Sequence, residues 1–313
     1  MGKSKQSPGA SGVYAALATP RRPDSTEADA AVLLDYLDTV VRAGVDGLVL
    51  FGSTGEFVHF DLAERMRTLA LAIRRSRVPV LVNISHSTLA GAVELAENAV
   101  GAGADGLLLM PPYFYRYTDE QLLAFYREFV KTIGTTARIY LYNLPFFTNP
   151  IGANLLQRLL ESGEFAGIKD SSGEWHLFEV LLALRRKVRF ALMTGHESLY
   201  LETRSAGADG IISGVAAAVP ELPVAMDRAI RANEMERAQR LNSRLKEFTA
   251  WVEKFPATVA IKQAAVARGW KVDHAAFSFD DATKADLAAY HQWLDNWLPR
   301  VLTECSDALA MRA

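Results

Sequence analysis

One cysteine, Cys305, stands in the whole chain of 313 residues. A disulfide framework and a cysteine metal site within one chain are thereby excluded. Net charge is also nearly absent, at −2, with acids and bases mixed along the sequence. A nucleic-acid or membrane-surface partner is not expected from such a balance. No apolar run is long enough to span a bilayer, and the polar stretch Met1 to Gly12 lacks the apolar segment of a signal peptide. A soluble, cytoplasmic protein is the expectation. The six histidines, His59, His86, His176, His196, His274 and His291, are scattered without H-x-x-x-H or carboxylate spacing, so no metal is implied. No G-x-G-x-x-G follows the first apolar run, which disfavours an open dinucleotide-binding sheet.

What is present is apolar sequence in short, regular pieces. Half of the residues are hydrophobic, and a chain of this length buries about three quarters of its unfolded surface. Val13 to Ala18 reads as a first strand and Glu27 to Arg42 as a helix, capped by Asp24, Ser25 or Thr26. A pattern then recurs. Ala43-Gly44-Val45-Asp46-Gly47 precedes Leu48 to Phe51, Ala102-Gly103-Ala104-Asp105-Gly106 precedes Leu107 to Met110, and Ala206-Gly207-Ala208-Asp209-Gly210 precedes Ile211 to Ser213. Each copy reads as a helix end with glycine in the cap, a tight turn and a buried strand.

Val80–Asn83, Arg138–Asn143, Phe165–Lys169 and Phe190–Thr194 complete eight strands, with helical patterns between them. Eight βα units predict an α/β fold, a closed (β/α)8 TIM barrel. The expected organisation is a tail over 1–12, the barrel over 13–230, and a C-terminal helical extension over 231–313 packed on it (Glu234–Lys254, Thr258–Arg268, Ala282–Thr303).

Barrel active sites gather at the C-terminal ends of the strands. Phe165-Ala166-Gly167-Ile168-Lys169-Asp170 is the unusual stretch, a buried strand ending on a lysine. A buried ammonium is costly unless it is paired or loses its proton. A lysine that attacks a ketone must be neutral, and moving its pKa from about 10.4 to near 7 takes about 4–5 kcal/mol, an amount desolvation can supply. Tyr142, at the end of strand five, brings a phenol that can carry protons beside an amine. Gly52-Ser53-Thr54-Gly55-Glu56 follows strand two and offers hydroxyls and backbone N–H groups to an anion, without the spacing of a nucleotide loop. An ordinary capped turn is the alternative there. Arg116, after strand four, reads as a rim salt bridge.

In order and spacing, Gly52-Ser53-Thr54-Gly55-Glu56, Tyr142-Asn143-Leu144-Pro145, Gly167-Ile168-Lys169-Asp170, Gly195 and Gly210-Ile211-Ile212-Ser213 resemble the dihydrodipicolinate synthase / N-acetylneuraminate lyase family. The resemblance runs from about residue 12 to about residue 300. It implies a class I, Schiff-base-forming aldolase or lyase. Lys169 would form the imine with pyruvate, Tyr142 would shuttle protons, and Ser53 and Thr54 would hold the pyruvate carboxylate. The backbone of Ile212, with Gly195, Ser171, Glu197 and Phe147, would line the substrate pocket. It implies no cofactor beyond the covalent imine, an aldehyde as second substrate, and a homotetramer or homodimer.

Departures from the family pattern bear on the substrate. Members that make dihydrodipicolinate carry an arginine five residues after the tyrosine, where this chain has Phe147 after Phe146. A phenyl ring cannot replace a bidentate carboxylate clamp. The sialic-acid lyases carry an acidic pair where this chain has His196-Glu197-Ser198. Phe114 stands where many members have a second relay tyrosine. The expected function is therefore a carbon-carbon lyase making or cleaving a 2-oxo-3-deoxy acid. A 4-hydroxy-tetrahydrodipicolinate synthase, a dehydratase of a keto-deoxy sugar acid and a non-catalytic carboxylate binder are the alternatives.

Overall fold

Short runs such as Gly47-Leu48-Val49-Leu50 are apolar on both faces, which suits strands covered on both sides. In the computed structural model, which describes residues 9–310 except 24, 135, 136, 257 and 273–277, these runs form eight parallel strands. They are β1 (Gly12–Ala16), β2 (Gly47–Leu50), β3 (Val80–Asn83), β4 (Gly106–Leu109), β5 (Ile139–Asn143), β6 (Gly167–Asp170), β7 (Ala191–Thr194) and β8 (Gly210–Ser213). Each pairs with its neighbour in chain order, and β8 returns to β1 with Gly12 opposite Gly210 and Ala15 opposite Ser213. The barrel is closed, as the strand count predicts. Helices α1 (Ala30–Arg42), α2 (Leu62–Arg75), α3 (Leu89–Ala102), α4 (Asp119–Ile133), α5 (Ala153–Glu161), α6 (Trp175–Leu184), α7 (Tyr200–Ala206) and α8 (Glu221–Arg231) alternate with the strands.

The recurring Ala-Gly-x-Asp-Gly pattern does more than end helices. Gly44, Gly103 and Gly207 take φ of 93°, 91° and 116°, the left-handed region that favours glycine. The aspartate of each copy reaches across to the strand before it. Asp46 Oδ2 accepts from Val13 N–H, Asp105 Oδ2 from Val80 N–H and Asp209 Oδ2 from Leu192 N–H, each at 2.8 Å. The second glycine admits its neighbour: a Cβ at Gly210 would lie 1.9 Å from the Gly12 carbonyl oxygen and 2.5 Å from its nitrogen. Both obstacles are backbone at the seam that closes the ring. Gly210→Ala is therefore expected to cost about 1–3 kcal/mol or more, as overpacking does. The check is a lower urea midpoint, and an unchanged midpoint would contradict this seam.

Several boundaries differ from expectation. α1 starts at Ala30, not Glu27, and its cap is Asp29, whose Oδ1 accepts from Val32 N–H at 3.0 Å. Just before it, Arg21 and Ala28 pair in an antiparallel bridge. Of the expected caps, Asp24 lies outside the described residues. A short 3-10 turn over Glu197–Leu199 delays α7. β6 continues through Asp170, which pairs with Asn143, so Lys169 is its penultimate residue. Residues 1–8 of the expected tail lie outside the described residues, and Gly12 is already in the sheet.

After α8 come α9 (Met235–Val252), α10 (Val259–Ala267) and α11 (Asp281–Ala310). α9 and α11 pack on α8, α10 packs on both of them, and an aromatic seam of Phe248, Trp251, Tyr290, Trp293 and Trp297 joins α9 to α11. The Tyr290 hydroxyl donates to the Ala260 carbonyl at 2.9 Å, fixing α10 against α11.

Candidate active site

Side chains alternate along a strand, so Ile168 and Asp170 face one way and Lys169 the other. The β5–β6 register sets Tyr142 opposite Lys169. Lys169 Nζ donates to the Tyr142 hydroxyl at 2.9 Å and lies 4.1 Å from its ring centroid. The same hydroxyl is 3.1 Å from Ser53 Oγ. Amine, phenol and serine hydroxyl thus form one hydrogen-bonded chain. Lys169 is 3 % exposed and Tyr142 1 %.

The turn that delivers Ser53 is strained and pinned. Phe51 and Glu56 take φ of 53° and 52°, a region that costs a residue with a Cβ about 1–2 kcal/mol. A Cβ at Gly55 would come within 2.9–3.1 Å of Phe51 and Leu17 backbone atoms, so only glycine fits. Asn83 Nδ2 donates to the Phe51 carbonyl at 2.7 Å, and Thr19 Oγ1 to that of Gly55 at 2.8 Å. Arg65 of α2 donates to the Asn83 and Ser85 carbonyls at 2.7 and 3.2 Å, and burial lowers its pKa to about 10.

On the opposite wall, a Cβ at Gly195 would sit 2.1 Å from Ser171 Oγ and 2.9 Å from Lys169 Cε. Gly195 therefore makes room for the lysine. Ser171 Oγ is buried with no hydrogen-bond partner. Glu197 turns toward the β8 exit. Its Oε1 accepts from Gly214 N–H (2.7 Å), Ser213 Oγ (3.1 Å) and Val215 N–H (3.3 Å). A Cβ at Gly214 would meet Thr54 Oγ1 at 2.9 Å, which places Thr54 against that exit. Ile212 is buried in β8, opposite Tyr14 of β1.

Phe147 is 75 % exposed, and Phe146, Phe114 and Tyr115 are similarly open. Arg116 donates to the Thr148 carbonyl at 3.3 Å, a rim contact with backbone in place of the expected salt bridge. His196 Nδ1 is paired with Ser198 Oγ at 2.8 Å. Among the described residues no three His, Cys, Asp or Glu side chains are grouped as metal ligands would be.

Sequence reasoning passed over Asn143 and Asp170, one residue beyond the reactive pair on the other face. Asn143 Nδ2 donates to Asp170 Oδ1 at 2.8 Å, and its Oδ1 accepts from Ile151 N–H at 3.0 Å. Ser172 Oγ donates to Asp170 Oδ2 at 2.8 Å. Burial raises the Asp170 pKa, opposed by the hydrogen bonds from Ser172 and Asn143. This buried clamp fixes the two strand ends that carry Tyr142 and Lys169. A polar residue following each reactive one in an otherwise apolar strand was the available signal.

The sequence model of the dihydrodipicolinate synthetase family matches residues 9–284. A probable 2-dehydro-3-deoxy-D-pentonate aldolase, YjhH of Escherichia coli K12, is 31% identical over 71% of this chain and 75% of its own. A 4-hydroxy-tetrahydrodipicolinate synthase of Methanothrix thermoacetophila is 30% identical over 75% of this chain and 79% of its own. The crystal structure of YagE, a prophage protein of the dihydrodipicolinic acid synthase family from Escherichia coli K12 in complex with pyruvate, superposes with a TM-score of 0.82 at 27% identity. That superposition covers 91% of this chain and 98% of YagE.

Proposed function

The chain belongs to the dihydrodipicolinate synthetase family of lyases and aldolases, and on that footing we propose that it is a pyruvate-dependent Schiff-base aldolase acting on a 2-oxo-3-deoxy acid. The observation that carries the reading is the hydrogen-bonded chain Lys169 Nζ–Tyr142 OH–Ser53 Oγ, in which the lysine and tyrosine are buried.

The neutral Lys169 amine attacks the C2 carbonyl of the 2-oxo acid, with Tyr142 relaying the amine proton toward the new hydroxyl. That carbinolamine loses water to an imine, whose protonated nitrogen is the electron sink. In cleavage, the C4 hydroxyl gives up its proton, the C3–C4 bond breaks and an aldehyde leaves. The enamine left on Lys169 takes a proton at C3, and water releases pyruvate and the free amine. Condensation runs the same steps in reverse. Ser53 and Thr54 hold the carboxylate, and Ser171, with its unpartnered hydroxyl, meets a hydroxyl of the substrate. No cofactor is called for, since the protonated imine on Lys169 is itself the electron sink.

Two features favour a sugar-acid substrate over aspartate semialdehyde. Phe147 offers no charge to a second carboxylate, and a probable deoxypentonate aldolase is among the relatives. Synthesis of 4-hydroxy-tetrahydrodipicolinate and dehydration of a keto-deoxy sugar acid through the same imine remain the rival reactions. Residues 13–230 form the catalytic barrel in this reading, with 231–313 packed on it. The working unit is a homotetramer or homodimer in the cytoplasm. Among the described residues no helix is long and apolar enough to cross a membrane.

Reduction with borohydride in the presence of pyruvate is expected to leave the reduced adduct on Lys169, located by peptide mass. A panel of 2-oxo-3-deoxy acids should release pyruvate, and aspartate semialdehyde should not be consumed. An unmodified lysine at millimolar pyruvate would sink the reading. Rapid consumption of aspartate semialdehyde would move it to the synthase.

A further inference from the structure

We propose that the buried ion pair between Glu56 and Lys262 is a positioning device through which the C-terminal helix α10 holds the carboxylate-gripping turn in place beside Lys169. The proposal rests on the reading of Ser53 and Thr54 as that grip.

Glu56 closes the turn that begins at Gly52, and its N–H donates to the Ser53 carbonyl at 3.0 Å. Its backbone is left-handed, with φ 52° and ψ 38°. A residue with a Cβ persists in such a conformation when its surroundings over-determine it. The Glu56 side chain leaves the turn and meets Lys262 Nζ, from a residue 206 positions along the chain. These side chains are only 6 % and 3 % exposed. His59 Nδ1 also approaches the other Glu56 oxygen, at 3.7 Å.

A buried ion pair is a weak source of net stability, since desolvation offsets much of the attraction. It does impose geometry, because neither charge can leave its partner without a large penalty. The same helix also reaches the β8 exit, which only β1 separates from the β2 turn in the ring. A Cβ at Gly214 would meet Ile261 Cδ1 at 3.3 Å and Thr54 Oγ1 at 2.9 Å. α10 thus contacts the β2 turn through Lys262 and the β8 exit through Ile261. Ser53 Oγ reaches the Tyr142 hydroxyl at 3.1 Å, and Thr54 Oγ1 lies against Gly214. Lys169 and Tyr142 are held separately by the β5–β6 register and the Asn143–Asp170 clamp. Loosening Glu56 should therefore weaken capture of the carboxylate while leaving the reactive pair intact.

The test uses the full-length chain and borohydride trapping on Lys169 as a function of pyruvate concentration, alongside thermal melts. Glu56→Gln and Lys262→Met are each expected to raise the half-saturating pyruvate about tenfold, the scale of one charge-assisted hydrogen bond. The trapped fraction at saturation should match that of the unaltered protein. Lys262→Arg, which keeps the charge, should return half-saturation to within about threefold. Should the single variants fail to fold, the apolar pair Glu56→Leu/Lys262→Met carries the same expectation. Unchanged half-saturation in folded variants overturns the proposal. So does a loss confined to melting temperature or to the trapped end point, which is what a merely structural pair would give. Failure of the unaltered protein to trap pyruvate defeats the functional reading first, and is seen before any variant is compared.

Discussion

Lys169→Met is expected to abolish pyruvate trapping and to lower kcat by at least about 10³-fold, the scale at which loss of a covalent nucleophile is felt. Methionine keeps the length and apolar body of the lysine stem and deletes the amine. Tyr142 retains Ser53 Oγ as a hydrogen-bond partner at 3.1 Å, so the phenol is not orphaned. Removing a buried amine also removes its desolvation cost. The melting temperature should therefore hold or rise while activity disappears. That opposite movement separates a catalytic lysine from a structural one, whose removal would lower both. Retained trapping in the variant would show another amine to be the nucleophile.

The second large effect is expected of Tyr142→Phe. Its hydroxyl joins Lys169 Nζ to Ser53 Oγ, and the carbinolamine steps need protons moved at just that point. Loss of a positioned acid–base group lowers kcat by about 10²–10⁴-fold. The carboxylate grip of Ser53 and Thr54 remains, so the pyruvate needed for half-maximal trapping should shift far less. Trapping should be slow and still reach the full end point, since the imine can form without assistance. The buried Lys169 amine loses its partner, at about 1–3 kcal/mol if left unsatisfied, which a melt would register. A kcat within about threefold of the unaltered enzyme would assign the relay elsewhere. Tyr113 is then the nearest alternative to consider: it stands next to Phe114, is half-buried, and has its pKa raised by burial.

Much of this arrangement was legible without coordinates. Eight apolar runs with helical patterns between them imply a closed barrel. A barrel puts its strand ends at one mouth, so Lys169, Tyr142 and Ser53 could be placed together before any distance was known. The departures at Phe147 and Phe114 could likewise be read residue by residue. The repeated Ala-Gly-x-Asp-Gly pattern gave its glycine turns, since φ preference is a local property. It did not give the reach of Asp46, Asp105 and Asp209 to the preceding strands, because that depends on pairing between strands. The start of α1 depends on pairing of the same kind: Ala28 is bridged to Arg21, and the helix begins only after it.

By itself the sequence determined the strand count, the barrel and the residue types at its mouth, because periodicity and turn chemistry act over a few residues. Tertiary structure alone decided which side chains meet. It joined Glu56 to Lys262 across 206 positions and clamped Asn143 to Asp170. It also cleared space at Gly195 for Lys169 and left the Ser171 hydroxyl without a partner. Such contacts arise when the ring closes and the last helices dock, and no local preference encodes them.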